Sequence, residues 1–113
     1  ENKSETLTIL ESDFIYAHSQ QNYVEVYFND EHEVQQQLFR STLTNIIKQL
    51  PNAWQVHRSY LVNLDYLTAV KGNARQRYME ISKKEETIPI SQKYYVALKE
   101  RLSNPSQSIQ NKP

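Results

Sequence analysis

In residues 22–28, NYVEVYF, Tyr23, Glu25 and Tyr27 fall on one face of an extended chain and Val24, Val26 and Phe28 on the other. Such period-two alternation is the mark of a half-buried strand, and its recurrence along the chain confines the fold to a mainly β class. TLTIL (6–10) and FIYAHS (14–19) read as preceding strands, and EVQQQLF (33–39) as a weaker one reached through the polar turn 29–32. WQVHR (54–58) is extended. LTAVK (67–71) and RYMEIS (77–82) form a hairpin around the only glycine, Gly72, and ETIPI (86–90) is a strand whose proline suits an edge. Two segments break the pattern. Leu43, Ile46, Ile47 and Leu50 recur at helical spacing, with Ser41 or Thr42 as the cap and Pro51 as the stop. SQKYYVALKERL (91–102) is a helix capped by Ser91, with Tyr95, Leu98 and Leu102 on one face. The segment 59–66 reads as a turn or short helix opened by Ser59. The expected architecture is therefore a set of small antiparallel sheets packed as an elongated β-sandwich with two or three short helices.

The chain echoes itself. DFIYA resembles DYLTA and YVEV resembles YMEI, at offsets that drift between 50 and 55 residues, suggesting two similar strand-rich lobes, each closed by a helix. At 113 residues there is room for one domain, and 38% hydrophobic content implies a thin or divided core. Residues 1–5 read as the end of a linker, 6–102 as the domain and 103–113 as a flexible polar tail. The chain opens on Glu1 rather than Met, which leads us to expect a piece of a longer protein. No apolar run is long enough to cross a membrane.

Several chemistries are disfavoured. The absence of cysteine excludes disulfide and thiol chemistry, and one glycine cannot build a phosphate-cradling loop. His18, His32 and His57 have no second ligand at metal-site spacing. No catalytic motif is present, so we expect neither an enzyme nor a cofactor. Formal charge is +0, but residues 1–39 hold eight acids and one base whereas 40–113 hold twelve bases and five acids. Zero is the sum of two polarised halves, an asymmetry that hints at an electrostatic partner.

Within VHRSYLVNLDYL (56–67), Arg58 sits among residues that favour burial. It either pairs with Asp65 or a glutamate, its stem on Tyr60, or it points outward at a partner. Alternation about Val56 turns His57 away from Arg58, favouring a structural role for the histidine. The cluster Lys71, Arg75, Arg77, Lys83 and Lys84 is a solvated face or a phosphate-steering patch. The eight tyrosines are packing residues or stacking platforms.

FRSTL…WQVHRSYLVNLDYLTAV…IPISQKYYVALKERL, with ILESDFIYAHSQQNYVEVYF upstream, resembles the LytTR-type DNA-binding domain, the output module of many bacterial response regulators. The match runs over about residues 6–102, and HRSYLVN is its most specific block. The resemblance implies that loops, rather than a recognition helix, enter two successive major grooves of double-stranded DNA. By position it implies base contacts at Asn22, Arg58 and Gln92. Arginine suits guanine O6 and N7, and the amides suit adenine N6 and N7. Gln92 departs from the arginine that relatives often carry there, so an adenine or water-mediated contact is expected in place of a guanine one. Lys93 and the helix N-terminus at Ser91 would seat phosphate, with Gln20, Gln21 and Ser59 as neutral phosphate donors. The resemblance further implies a cytoplasmic two-component regulator, a missing N-terminal receiver or sensor domain, and a dimer on a direct-repeat site. The rival expectation is a protein-interaction module that binds a partner chain through a strand edge or the tyrosine-rich face.

Overall fold

The structure, a computed structural model, describes residues 8–84 and 86–103. Three consecutive strands, β1 (Phe14–Gln20), β2 (Tyr23–Asp30) and β3 (Glu33–Phe39), form an antiparallel meander. The alternation in β2 is realised: Val24, Val26 and Phe28 are buried while Tyr23 is exposed. The β2–β3 connection is a two-residue turn in which Glu31 and His32 both take positive φ, 52° and 75°, the geometry that matches strand twist in tight hairpins. β3 lies at the sheet edge and is largely exposed, which accounts for its weak pattern.

α1 (Leu43–Gln49) follows, capped by Thr42, whose hydroxyl accepts the Asn45 N–H at 3.2 Å. Leu43 is buried, and Ile46, Ile47 and Leu50 pack beside it on one face of the meander with Phe14, Ala17, Val24, Val26, Phe28 and Leu61. The chain then returns as β4 (Trp54–His57) and β5 (Tyr60–Val62). β5 pairs with both β1 and β4, giving a five-stranded sheet in the order β3-β2-β1-β5-β4. This corrects the reading of 59–66 as a turn or short helix. Leu61 and Val62 are both fully buried, so this interior strand is apolar on both faces and carries no alternation to read. Only its last part, Leu64–Tyr66, is a 3-10 turn, opened by Asn63 rather than Ser59.

β6 (Leu67–Gly72), β7 (Arg77–Ile81) and β8 (Ile88–Ile90) make a second antiparallel sheet, and α2 (Gln92–Ser103) closes the chain. Pro89 lies on the edge strand. This sheet and Leu98 of α2 cover the other face of the first sheet. There Ile15, Tyr16, Val56 and Val62 pack with Met79, Ile81, Ile88 and Ile90. The core is thus divided in two by the five-stranded sheet.

The internal echo has a structural counterpart. The β1–β2 and β6–β7 registers coincide at an offset of 53: Phe14 opposes Phe28 as Leu67 opposes Ile81, and Ala17 opposes Val26 as Val70 opposes Met79. Both hairpins bulge at the second residue and both follow a 3-10 turn, with Asp13 N–H bonded to Leu10 and Tyr66 N–H bonded to Asn63. The offset places Arg75 in the second turn where Asn22 lies in the first. Gly72, at φ 103°, is required just before that turn, because a Cβ there would run into the Gln76 carbonyl.

Other expectations need correction. Residues 8–10 are not a strand, since the chain there leads into a 3-10 turn, Glu11–Asp13, and Leu10 stays 69% exposed. β8 is confined to Ile88–Ile90. Ser91 holds the cap position through its carbonyl, which accepts from the N–H groups of Tyr94 and Tyr95 at 3.0 Å, but its buried hydroxyl has no partner among the described residues. Leu102 is exposed rather than core. The linker end at 1–5 and all but the first residue of the expected tail lie outside the described residues. Among the described residues no helix is long and apolar enough to cross a membrane.

The divided core sets a stability contrast on α2. Leu98→Ala should cost about 2–5 kcal/mol through lost burial and a residual cavity. Val96→Ala, at a 63% exposed position, should stay within about 0.5 kcal/mol. Chemical denaturation of the two variants checks this, and equal losses would place the α2 packing face elsewhere.

Candidate nucleic-acid interface

Because β1 and β5 are antiparallel neighbours, the β1–β2 turn and the β4–β5 turn emerge at the same end of the sheet. The Ser19 N–H donates to the Ser59 carbonyl at 2.9 Å, fastening one turn to the other. Next to them the Ser91 N–H donates to the Val56 carbonyl at 3.0 Å, which sets the first turn of α2 against the end of β4. Asn22, Arg58 and Gln92, widely separated in sequence, therefore share one edge of the molecule. Gln20, Gln21, Ser59 and Lys93 are on the same edge, and all seven residues are exposed except the half-buried Ser59.

Local geometry presents them. Gln21 takes φ 54°, a left-handed residue that leaves Asn22 at the tip before β2. Arg58 occupies the β4–β5 turn. Its guanidinium has no hydrogen-bond, ion-pair or ring partner among the described residues. Asp65, one of its possible partners, follows β5 at the opposite end of the sheet. The turn beneath Arg58 is stiff. Val56 is fully buried, and the His57 Nδ1 accepts the Ser59 N–H at 3.1 Å while its ring meets Tyr60 edge-on. Tyr60 in turn stacks on His18 with centroids 4.2 Å apart. Burial, then the nearby Arg58 charge, lowers the His57 pKa, and burial is also the first cause of the lowered His18 value. Both rings are thereby kept neutral, as the acceptor role of His57 Nδ1 requires. His57 is structural, and tyrosines 16, 27 and 60 are packing residues on this face.

Two further cations join the edge. Arg40, just after β3, donates to the Tyr23 hydroxyl at 3.3 Å. Arg77 lies 3.8 Å above the Tyr95 ring and donates to Gln92 Oε1 at 2.8 Å. Lys93 Nζ is 5.4 Å from the Tyr94 ring centroid.

The sequence profile of the LytTr DNA-binding domain family matches residues 4–103. The chain belongs to this family. It is a DNA-binding family rather than a catalytic one. A similar solved structure from Bacillus cereus is provisionally described as the LytTr DNA-binding domain of a methyl-accepting/DNA response regulator. The two are 18% identical over 83% of this chain and 84% of that one, with a TM-score of 0.60, a likeness of fold. No curated protein matches the chain.

In this LytTr domain the neutral total charge conceals a dipole along the five-stranded sheet. Arg40, Arg58 and Lys93 lie at the turn end. Glu11 and Asp13 before β1, Asp30, Glu31 and Glu33 around the β2–β3 turn, and Asp65 after β5 lie at the other. A cavity of about 330 Å³ at that far end is lined by Glu11 and Asp65 among others, the wrong sign for a phosphate. The basic cluster read from sequence is not one patch. Lys71 pairs with Glu80 at 3.3 Å and Lys84 with Glu86 at 3.2 Å, whereas Arg75 lies in the β6–β7 turn and Arg77 follows it, against Tyr95 of α2. Arg40 is not marked by the sequence, and Arg77 is marked only as a member of that cluster. Strand register is the signal that finds them: Arg40 follows the Phe39–Val24 pair, and Arg77 opposes Ile90, one residue before Ser91.

The lowered histidine pKa values fix a sign for the pH dependence. The unfolded chain binds protons from about the ordinary histidine value of 6.5 downward, before the folded LytTr domain does. Stability should be full above that value and fall as pH drops from about 7 towards 5. Melting curves of wild type and the His18→Gln/His57→Gln variant test this. The variant should lose most of the slope in that window, and an unchanged slope would assign it to other groups.

Proposed function

We propose that this domain binds double-stranded DNA sequence-specifically through loops seated in successive major grooves, without a recognition helix. The observation that carries the reading is the shared edge: three separate turns converge there, around an exposed guanidinium that no acid among the described residues neutralises. Membership of a DNA-binding family and the sheet dipole support it. On this reading Arg58 donates two hydrogen bonds to guanine O6 and N7, while Asn22 and Gln92 contact bases through their amides. Gln20, Gln21, Ser59 and Lys93 hold phosphate oxygens, Lys93 with help from the α2 N-terminus. Neither a metal nor a cofactor enters this scheme.

The larger context is part of the same proposal. The likeness to a domain described from a response regulator supports an output module, cytoplasmic and joined to a receiver or sensor domain in a two-component regulator. Two copies on a direct repeat would gain affinity through effective concentration, which suits a domain with no net charge. One observation favours a second reading. β3 is a sheet edge with Val34 and Leu38 exposed at 42% and 48%, a surface on which a partner strand could add.

Salt and substitution separate the two. DNA binding should weaken with a log–log slope of about −0.9 per phosphate neutralised. Arg58→Ala should cost about 1–3 kcal/mol and relax one base position, whereas Lys93→Ala should weaken all sequences alike. Selection of bound duplexes from a random pool reads both effects. A profile unchanged by Arg58→Ala removes Arg58 as a reader, and binding indifferent to salt favours the β3 edge.

A further inference from the structure

We infer that Arg77 sets which base edge position 92 accepts: it turns the Gln92 amide so that only the NH2 group faces DNA, selecting a base that presents acceptors. The inference rests on the reading of Gln92 as a base contact. Arg77 ends the turn of the second hairpin, opposite Gly72 on β6 and Ile90 on β8, so its side chain rises beside the first turn of α2. There it is held on two sides. Tyr95, one turn into α2 and packed against the core, lies 3.8 Å beneath the guanidinium, within the range of a cation–π contact. Nη1 donates to Gln92 Oε1 at 2.8 Å, the length of a charge-assisted bond.

An amide can in principle flip and exchange its oxygen for its nitrogen. Here it cannot do so without loss, because arginine has five donors and no acceptor. The oxygen must face Arg77, and the NH2 group must face away. Bidentate pairing with adenine needs that oxygen to accept from N6 while the NH2 group donates to N7. With one lone pair given to Arg77 and the C=O bond directed towards it, the outward side of the amide is its NH2 group, whose two hydrogens meet the groove. The base edges that answer two donors are guanine, through O6 and N7, and thymine, through O4. Cytosine presents N4–H2 and is rejected, and adenine keeps a single acceptor, N7. Arg77, on the second sheet, is in this way a positioning residue for a contact on α2.

Duplex selection from a random pool with four proteins tests this: wild type, Gln92→Ala, Gln92→Glu and Arg77→Met. The position at issue is the one whose preference Gln92→Ala erases. Wild type should prefer guanine or thymine there. Arg77→Met keeps an apolar stem on Tyr95 but frees the amide oxygen, and should shift that position towards adenine by about tenfold, with the position read by Arg58 unchanged. Gln92→Glu keeps the bond to Arg77 and puts an acceptor outward, so it should shift the position to a donor-bearing base, cytosine or adenine. Melting curves establish that Arg77→Met folds, and should it fail to, the Gln92→Glu switch decides alone. Adenine preferred by wild type, or a preference that survives both Arg77→Met and Gln92→Glu, overturns the inference while leaving Gln92 as a reader. A Gln92→Ala profile identical to wild type overturns the base contact itself, and the inference falls with it.

Discussion

The candidate interface depends on the pairing of β5 with β1. A three-residue strand, Tyr60–Val62, is inserted between two others, and antiparallel geometry then forces the turn that precedes it to lie beside the β1–β2 turn. Two backbone hydrogen bonds, Ser19 to Ser59 and Ser91 to Val56, complete the alignment and draw in the start of α2. None of the side chains on this edge creates the edge. They are carried there by main-chain bonds anchored in a buried sheet, and a guanidinium presented from such a support gives up little additional freedom when it meets a partner.

Electrostatics follows from the same topology. Consecutive strands send the acid-rich 3-10 turn and the β2–β3 turn to one end, and the arginine-bearing turns to the other. A protein of zero formal charge thereby acquires a positive edge, where its field favours an anion. Tyr23 and Tyr95 serve the cations they lie beneath, so part of the tyrosine content supports arginine side chains on this edge. His57 is likewise a brace, its neutral ring holding the turn that Arg58 crowns.

Much of the fold is legible in the residues. β2 and α1 announce themselves because each has one buried and one exposed face, which imposes a period of two or 3.6. β5 is illegible for the opposite reason. With both faces buried, Leu61 and Val62 give a continuous apolar run that could belong to several structures. The Ser91 hydroxyl illustrates a third case, where local capping preference is not realised: the carbonyl takes the cap position and the hydroxyl oxygen is buried. At the candidate site, Asn22, Arg58 and Gln92 were reached through the family resemblance, and their nearness to one another depends on pairing between distant strands. Arg40 and Arg77 were harder still, since a cation at a strand end is indistinguishable from ordinary solvated charge until the register is known.

Amide chemical-shift mapping of the isotopically labelled domain, titrated with duplexes recovered from a random pool, tests the central claim most directly. The account predicts that Asn22, Arg58, Ser59, Gln92 and Lys93 shift together, while the acidic end around Glu31 and Asp65 stays still. Shifts concentrated along β3, at Val34 and Leu38, with those three turns silent, would contradict it.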